Sequence, residues 1–218
     1  MGLTAERLRA GMDALARIEP GIAAGIARHG YPDTRIRARG HATMLRTIIG
    51  QQVSVQSAAA IWGRMEQALG AEMAPEVLAA APDEMLRACG LSRQKSGYVK
   101  SLAELVASGE VDFANLPVDD EEAIATLTRI KGIGRWSAEI YLLFAEGRGD
   151  IWPAGDLAVQ IEVGILLGHD ARPSETLVRE IAEAWRPHRG AAAIFAWHHY
   201  GARIAAGRAE GKGGKMPL

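Results

Sequence analysis

The chain has 218 residues, 48% of them hydrophobic, and a formal net charge of −1. That is ample apolar material for one large domain or two small lobes, and the near-neutral balance means that any contact with nucleic acid must be local. A single cysteine, Cys89, excludes an internal disulfide, a four-cysteine zinc site and a four-cysteine iron–sulfur cluster.

No apolar run approaches the roughly 20 residues that span a bilayer, and the opening MGLTAERLRAGMDALARIEP carries charges without a continuous apolar core. The expectation is a cytoplasmic protein. Alanine is abundant and β-branched residues never alternate over a long run, so the chain reads as all-α. Residues 4–28 give helical spacing through Leu8, Met12, Leu15 and Ile18, with Pro20 forcing a restart before Ile22–Ile26. After a loop with Gly30, Pro32 and Gly40, the stretch His41–Ile49 puts Met44, Leu45, Ile48 and Ile49 on one helix face. Gln51, Gln52 and Val53 interrupt it. Ser54 is the expected N-cap of a longer helix whose inward positions are Val55, Ala58, Ala59, Trp62 and Met65.

Pro75–Ala81 and Pro82–Cys89 read as short helices, the second closed by Gly90. Arg93–Ser108 follows, with Tyr98, Leu102, Leu105 and Val106 as its expected buried face. Asp112–Pro117 is the best linker candidate of this half. Asp119 or Asp120 then caps a helix through Ile130, whose acidic first turn suits the helix dipole. Leu157–Gly168, Glu175–Trp185 and Arg189–Ala206 read as the remaining helices, and residues 207–218 as a flexible basic tail.

The chemistry concentrates in Leu127–Leu157. Lys131-Gly132-Ile133-Gly134 sits between two helical patterns, a spacing in which two glycines take angles closed to other residues and Ile133 packs inward. The turn amides and the positive end of the next helix form an anion site suited to a phosphodiester, with Lys131, Arg129 and Arg135 adding charge. On the G-x-G spacing alone, a plain turn between packed helices competes with this reading. Asp156, after Gly155 and before an apolar helical run, reads locally as an N-cap, and a helix N-terminus favours an ionised carboxylate.

The pattern L-x-x-I-x-G-I-G-x-W-x-A, followed by P-x-G-D-L, resembles the helix-hairpin-helix (HhH-GPD) DNA glycosylase superfamily of base excision repair. IIGQQVSVQSAAAIW (48–62) and WRPHRGAAAIFAWHHY (185–200) extend the resemblance, most closely to its 3-methyladenine-DNA glycosylase II branch. The resemblance implies a two-lobed helix-hairpin-helix glycosylase fold with a cleft between the lobes. Residues 36–147 would form one lobe, and residues 1–35 with 148–206 the other. A β-rich N-terminal domain carried by some relatives is not expected. Asp156 would be the catalytic carboxylate that stabilises an oxocarbenium-like sugar and orients the attacking water. Superfamily members with G-x-G-x-K carry a lysine nucleophile that also cleaves the strand. Here Trp136 occupies that place, which implies a monofunctional enzyme that leaves an abasic site.

A glycosylase must extrude its target base and receive it in a pocket. By resemblance Trp136 and Trp197 line that pocket, where their ring faces would favour cationic alkylated purines such as 3-methyladenine and 7-methylguanine. Gln51 or Gln52 would fill the gap left in the duplex, while Trp62 and Trp185 read as core. The roles of Trp152 and Tyr141 stay open. His198 and His199 are adjacent and lack a third ligand, so no catalytic metal is expected. No cofactor is implied beyond a possible structural monovalent cation, Na or K, at the hairpin carbonyls. The expected partner is duplex DNA bearing alkylated bases, with no membrane and no obligate protein partner. A bacterial protein of this kind would associate with the nucleoid. A non-catalytic DNA-binding or damage-sensing module, with Asp156 as a cap only, is the alternative.

Overall fold

The computed structural model describes residues 3–209, and among them it is built from helices without strands. The helices are α1 Ala5–Ile18, α2 Pro20–His29, α3 His41–Gly50, α4 Val55–Leu69, α5 Pro75–Ala80, α6 Asp83–Ala88, α7 Arg93–Ala107, α8 Asp120–Thr128, α9 Arg135–Tyr141, α10 Leu157–Leu166, α11 Glu175–Ile181 and α12 Arg189–Ala209. Six of them start by one device. Thr4, Ser54, Ser92, Asp119, Asp156 and Ser174 each accept, through the side chain, the N–H three residues on. This satisfies one of the amides that a helix start leaves without a partner.

The chain divides into two compact units, one comprising Met1–Ile36 and Gly147–Leu218 and the other Arg37–Glu146. In the Arg37–Glu146 unit, α7 is central and packs against α3, α5 and α6. Met44, Leu45, Ile48 and Ile49 are buried as their spacing predicts, together with Val99, Leu102, Leu127 and Ile130. Helix α9 continues as a π-helical segment, Leu142–Glu146, and the Phe144 carbonyl accepts the Arg37 N–H at 2.9 Å. Such a local widening of a helix redirects backbone groups toward other partners.

In the other unit α1, α2, α10 and α12 pack around Leu8, Met12, Leu15, Ile22, Val163 and Phe195. A polar cluster crosses this core. Glu162 on α10 is 0% exposed, accepts from His199 Nδ1 at 2.5 Å, and receives Arg203 Nη2 at 2.8 Å and Nε at 3.1 Å. His199 also meets the His29 ring edge-on at 4.9 Å, and His198 Nε2 lies 2.9 Å from the His29 carbonyl oxygen. Charge buried in this way is tolerated only when paired and hydrogen-bonded, so the cluster ties α10 to α12.

Several expectations need correction. Val55 is 88% exposed and Ala59 is exposed, because the buried stripe of α4 begins only at Ile61 and continues with Trp62 and Met65. The buried face of α7 is Ser96, Val99, Ser101, Leu102 and Ala103. Tyr98, Leu105 and Val106 are half-buried, rotated from the expected face because the helix is surrounded on more than one side. Asp112–Pro117 is no linker between units. It lies within Arg37–Glu146, with Phe113 and Leu116 buried and Asp112 accepting from the Ala114 N–H at 2.8 Å. The helix capped by Asp119 stops at Thr128, the one after Asp156 at Leu166, and α11 gives way to a 3₁₀ turn, Ala182–Trp185. Residues 207–209 of the expected tail are helical, and 210–218 lie outside the described residues.

Candidate functional site

The turn between α8 and α9 uses its two glycines differently. Gly132 has φ +82°, and a Cβ there would come within 2.2 Å of the Tyr98 ring, so both conformation and space require glycine. Gly134 has φ −90° and open space around it; its angles are ordinary extended ones, contrary to the expectation that both glycines are conformationally special. Its location is what matters, since it is the N-cap of α9 and contributes no capping side chain. Ile133 is buried as expected. Gly132→Ala is expected to destabilise the fold by at least the roughly 1–3 kcal/mol of backbone strain, whereas Gly134→Ala leaves the melting temperature nearly unchanged. Equal thermal shifts for the two variants would contradict this division.

The expected cationic surround is reduced by internal pairing. Arg129 is paired with Glu110, and Arg135 makes a two-pronged pair with Glu121 while its Nε donates to Glu139 at 2.9 Å. These carboxylates, Glu121 first, raise the Arg135 pKa above the usual guanidinium range. The charge expected from both arginines is therefore largely neutralised in place. Lys131 is exposed, with its N–H held by Ser101 Oγ at 3.1 Å.

The two glutamines also divide. Gln51 is the C-cap of α3. Its side-chain amide donates to the Gly132 carbonyl at 2.9 Å, and its own carbonyl accepts from Lys95 Nζ at 2.6 Å. Gln52 is exposed and left-handed, with φ +54°. Lys95 reaches the Ile49 carbonyl as well, at 2.7 Å, and its burial lowers the ammonium pKa. Lys95, Tyr98 and Ser101 are spaced by three residues along α7, so one helix face touches the glutamine corner, Gly132 and Lys131 in succession. Sequence reading missed this scaffold, although the i, i+3, i+6 spacing of those residues was a usable signal.

Gln51, Gln52 and Trp136 line one open cleft of about 940 Å³ in the Arg37–Glu146 unit, joined by Arg37 and Arg46. Trp136 is 47% exposed. Ile140, not Tyr141, faces this cleft from α9. Tyr141 is buried, and its hydroxyl accepts the Gly40 N–H at 2.8 Å beside the start of α3. Its role is therefore structural.

In the other unit, Asp156 is half-buried, and its Oδ1 accepts the Val159 N–H at 3.0 Å as the N-cap of α10. The loop before it is fixed at two points. Trp152 Nε1 donates to the Val178 carbonyl at 3.1 Å while its ring meets Trp185 edge-on at 5.4 Å, and Gln160 Nε2 donates to the Ala154 carbonyl at 2.8 Å. Trp152 thus supports the aspartate's loop, and Trp185 is core as expected. Trp197 is half-buried on α12, against which α10 packs. Carbonyl oxygens are suitable donors for Na or K, yet the Gly132 carbonyl already accepts from Gln51 and the Ile130 carbonyl from the Ile133 N–H at 3.0 Å. A cation at the turn would have to use what capacity those oxygens retain.

Comparison with known proteins bears on this arrangement. The family described as HhH-GPD superfamily base excision DNA repair protein matches residues 45–187. Over 158 residues the chain is 34% identical to DNA-3-methyladenine glycosylase 1 of Schizosaccharomyces pombe, covering 71% of this chain and 69% of that protein. It is 30% identical to DNA-3-methyladenine glycosylase 2 of Escherichia coli over 72% of this chain, which corresponds to only 56% of the E. coli protein. Its fold is similar to that of the S. pombe 3-methyladenine DNA glycosylase solved with abasic DNA, with a TM-score of 0.71, 28% identity, and coverage of 88% of this chain and 95% of that one. It is also similar to a Bacillus halodurans DNA-3-methyladenine glycosidase, with a TM-score of 0.74, 30% identity, and coverage of 85% and 91%. The chain belongs to the HhH-GPD superfamily of base excision DNA repair proteins.

Proposed function

We propose that the protein is a monofunctional DNA glycosylase that hydrolyses the N-glycosidic bond of alkylated purines, 3-methyladenine and 7-methylguanine among them, in duplex DNA. The observation that carries this reading is Asp156, a carboxylate held at the head of α10 by its own cap bond on a loop immobilised through Trp152 and Gln160. As the C1′–N bond breaks, positive charge grows on the deoxyribose and the base leaves with the bonding electrons. A fixed carboxylate stabilises that charge without reorganising at the moment of reaction. Water then bonds to C1′, and its proton passes to Asp156 or to solvent. An alkylated purine is already cationic, so it departs without strong acid assistance.

The remaining residues bind and select. Lys131 and the backbone of Gly132, Gly134 and Arg135 hold a phosphodiester, Arg135 through its amide rather than its paired guanidinium, while Ile133, its N–H given to the Ile130 carbonyl, shapes the turn from within. Gln52, exposed at the corner, occupies the gap left by the flipped base, while Gln51 braces the corner against the hairpin. Trp136 and Trp197 offer ring faces to the cationic base, an attraction on the order of 0.5–2 kcal/mol. With Trp136 in place of an amine, the product is an abasic site and the strand stays intact. No cofactor takes part in the reaction, and a monovalent cation would serve only to brace the hairpin. The substrate would be chromosomal DNA, encountered in the cytoplasm and, in a bacterium, at the nucleoid.

The direct test incubates the protein with methylated duplex DNA and measures free methylpurines and strand breaks separately. Release of base without breaks until alkali is added is the expected result. Retained binding with no release would instead identify a damage-sensing module, and breaks without alkali would overturn the monofunctional reading. A Gly134→Asp variant, which puts negative charge into the open space at the turn, is expected to lose at least tenfold affinity for any duplex at low salt. Unchanged affinity would remove the hairpin from the DNA contact.

A further inference from the structure

The 940 Å³ cleft has a charge balance unlike that of the chain as a whole. The residues lining it include two arginines, Arg37 and Arg46, and no aspartate or glutamate, although the chain carries one net negative charge. Nearby arginines are spent internally. Arg39 pairs with Glu146 at 2.5 Å and donates toward the Phe113 and Ala114 carbonyls, and Arg129 and Arg135 are paired as described. Arg37 and Arg46 have aromatic neighbours instead. The Arg46 Cζ lies 3.4 Å over the Trp62 ring, and that ring is itself held by its Nε1 donating to Glu66 Oε1 at 2.5 Å. The Arg37 Cζ lies 5.7 Å from the Phe144 ring centroid, on a backbone tied to the Phe144 carbonyl.

At 3.4 Å the Arg46 guanidinium is stacked on its ring, which keeps its N–H groups directed outward in its own plane and limits the side-chain entropy lost when an anion binds. Arg37, at 5.7 Å, is within cation–π range of Phe144 without stacking on it. Both side chains are exposed. Their cleft also contains exposed Gln52 and Trp136, whose ring and amide suit a base rather than a phosphate.

We propose that Arg37 and Arg46 form a second backbone site, separate from the hairpin, in which each guanidinium neutralises one phosphate of the strand whose base enters this cleft. The proposal rests on the glycosylase reading above. Its ligand is the phosphodiester of DNA, and it explains how a chain with little net charge concentrates binding at the point of base extrusion. Two such ion pairs would also hold the strand on the cleft side of the corner while Gln52 fills the stack.

The test measures binding of the full chain to a duplex containing a stable abasic-site analogue across a range of salt concentrations. Removing one arginine–phosphate pair lowers the magnitude of the log–log salt slope by about 0.9. Arg37→Gln and Arg46→Gln are each expected to show that change, and the double variant about 1.8. Glutamine retains a planar amide over Trp62, and Arg46→Lys, which keeps the charge, is expected to retain the wild-type slope. Slopes equal to wild type in both glutamine variants, with melting temperatures preserved, would overturn the site. Should Arg46→Gln fail to fold, Arg37→Gln alone decides it. A wild-type protein without affinity for the abasic duplex would instead defeat the glycosylase reading and this site with it.

Discussion

Asp156→Asn is expected to lower base release by about 10²–10³-fold, the loss that follows removal of one preorganised group stabilising transition-state charge. The substitution separates the two roles of the residue. Asn caps a helix about as well as Asp, so the bond to the Val159 N–H persists and the melting temperature should barely change. The carboxylate charge is what disappears. Binding of the abasic duplex should also persist, because the proposed phosphate contacts lie elsewhere in the chain. Asp156→Ala should lose the same activity and about 1 kcal/mol of stability besides, since alanine cannot accept the amide. Single-turnover release of methylpurine, measured beside thermal melting, distinguishes the outcomes. Full activity in Asp156→Asn would leave the residue a cap and nothing more.

Arg203→Met should destabilise the fold by about 3 kcal/mol, the low end of what breaking a buried ion pair costs. The low end applies because the Arg203 side chain is 39% exposed, whereas Glu162 is fully buried. The deleted guanidinium leaves Glu162 with His199 as its remaining partner in the cluster, at 2.5 Å. For a chain of this size the expected fall in melting temperature is roughly 6–12 °C. Arg203→Lys should recover part of it by restoring charge without the two-point geometry. The consequence extends beyond stability. Asp156 caps the start of α10 and α12 carries Trp197, so a loosened cluster should also reduce base release. A shift below about 1 °C would mean that the cluster does not hold the two helices.

The sequence made the helices legible because their signals are local. The apolar spacing of Met44, Leu45, Ile48 and Ile49 needs only one helix to be read, and Ser54, Asp119 and Asp156 bond amides three residues away. The break at Pro20 is equally local, since proline fixes its own geometry. Inward-facing positions were less reliable. Val55 satisfied the periodicity yet stands in solvent, because burial depends on whether a partner reaches that turn of the helix. Phe113 and Leu116, within a stretch rich in loop residues, are buried for the converse reason. The π-helical segment Leu142–Glu146 also escaped notice, since nothing in LLFAE distinguishes it from an ordinary helical turn.

By itself the sequence determined an all-α chain, the turn at Lys131–Gly134, the cap at Asp156 and the tryptophan, Trp136, that follows the turn. These depend on residue types and short spacings. Tertiary structure alone decided which charges remain outside ion pairs and which side chains are already committed. It withdrew Arg129 and Arg135 into ion pairs, fixed Gln51 against the hairpin while leaving Gln52 exposed, and turned Tyr141 inward while leaving Ile140 at the cleft. The physical reason is reach. Glu110 lies 19 residues from Arg129, Gly132 lies 81 from Gln51, and Gly40 lies 101 from Tyr141, so no local pattern could specify those partners.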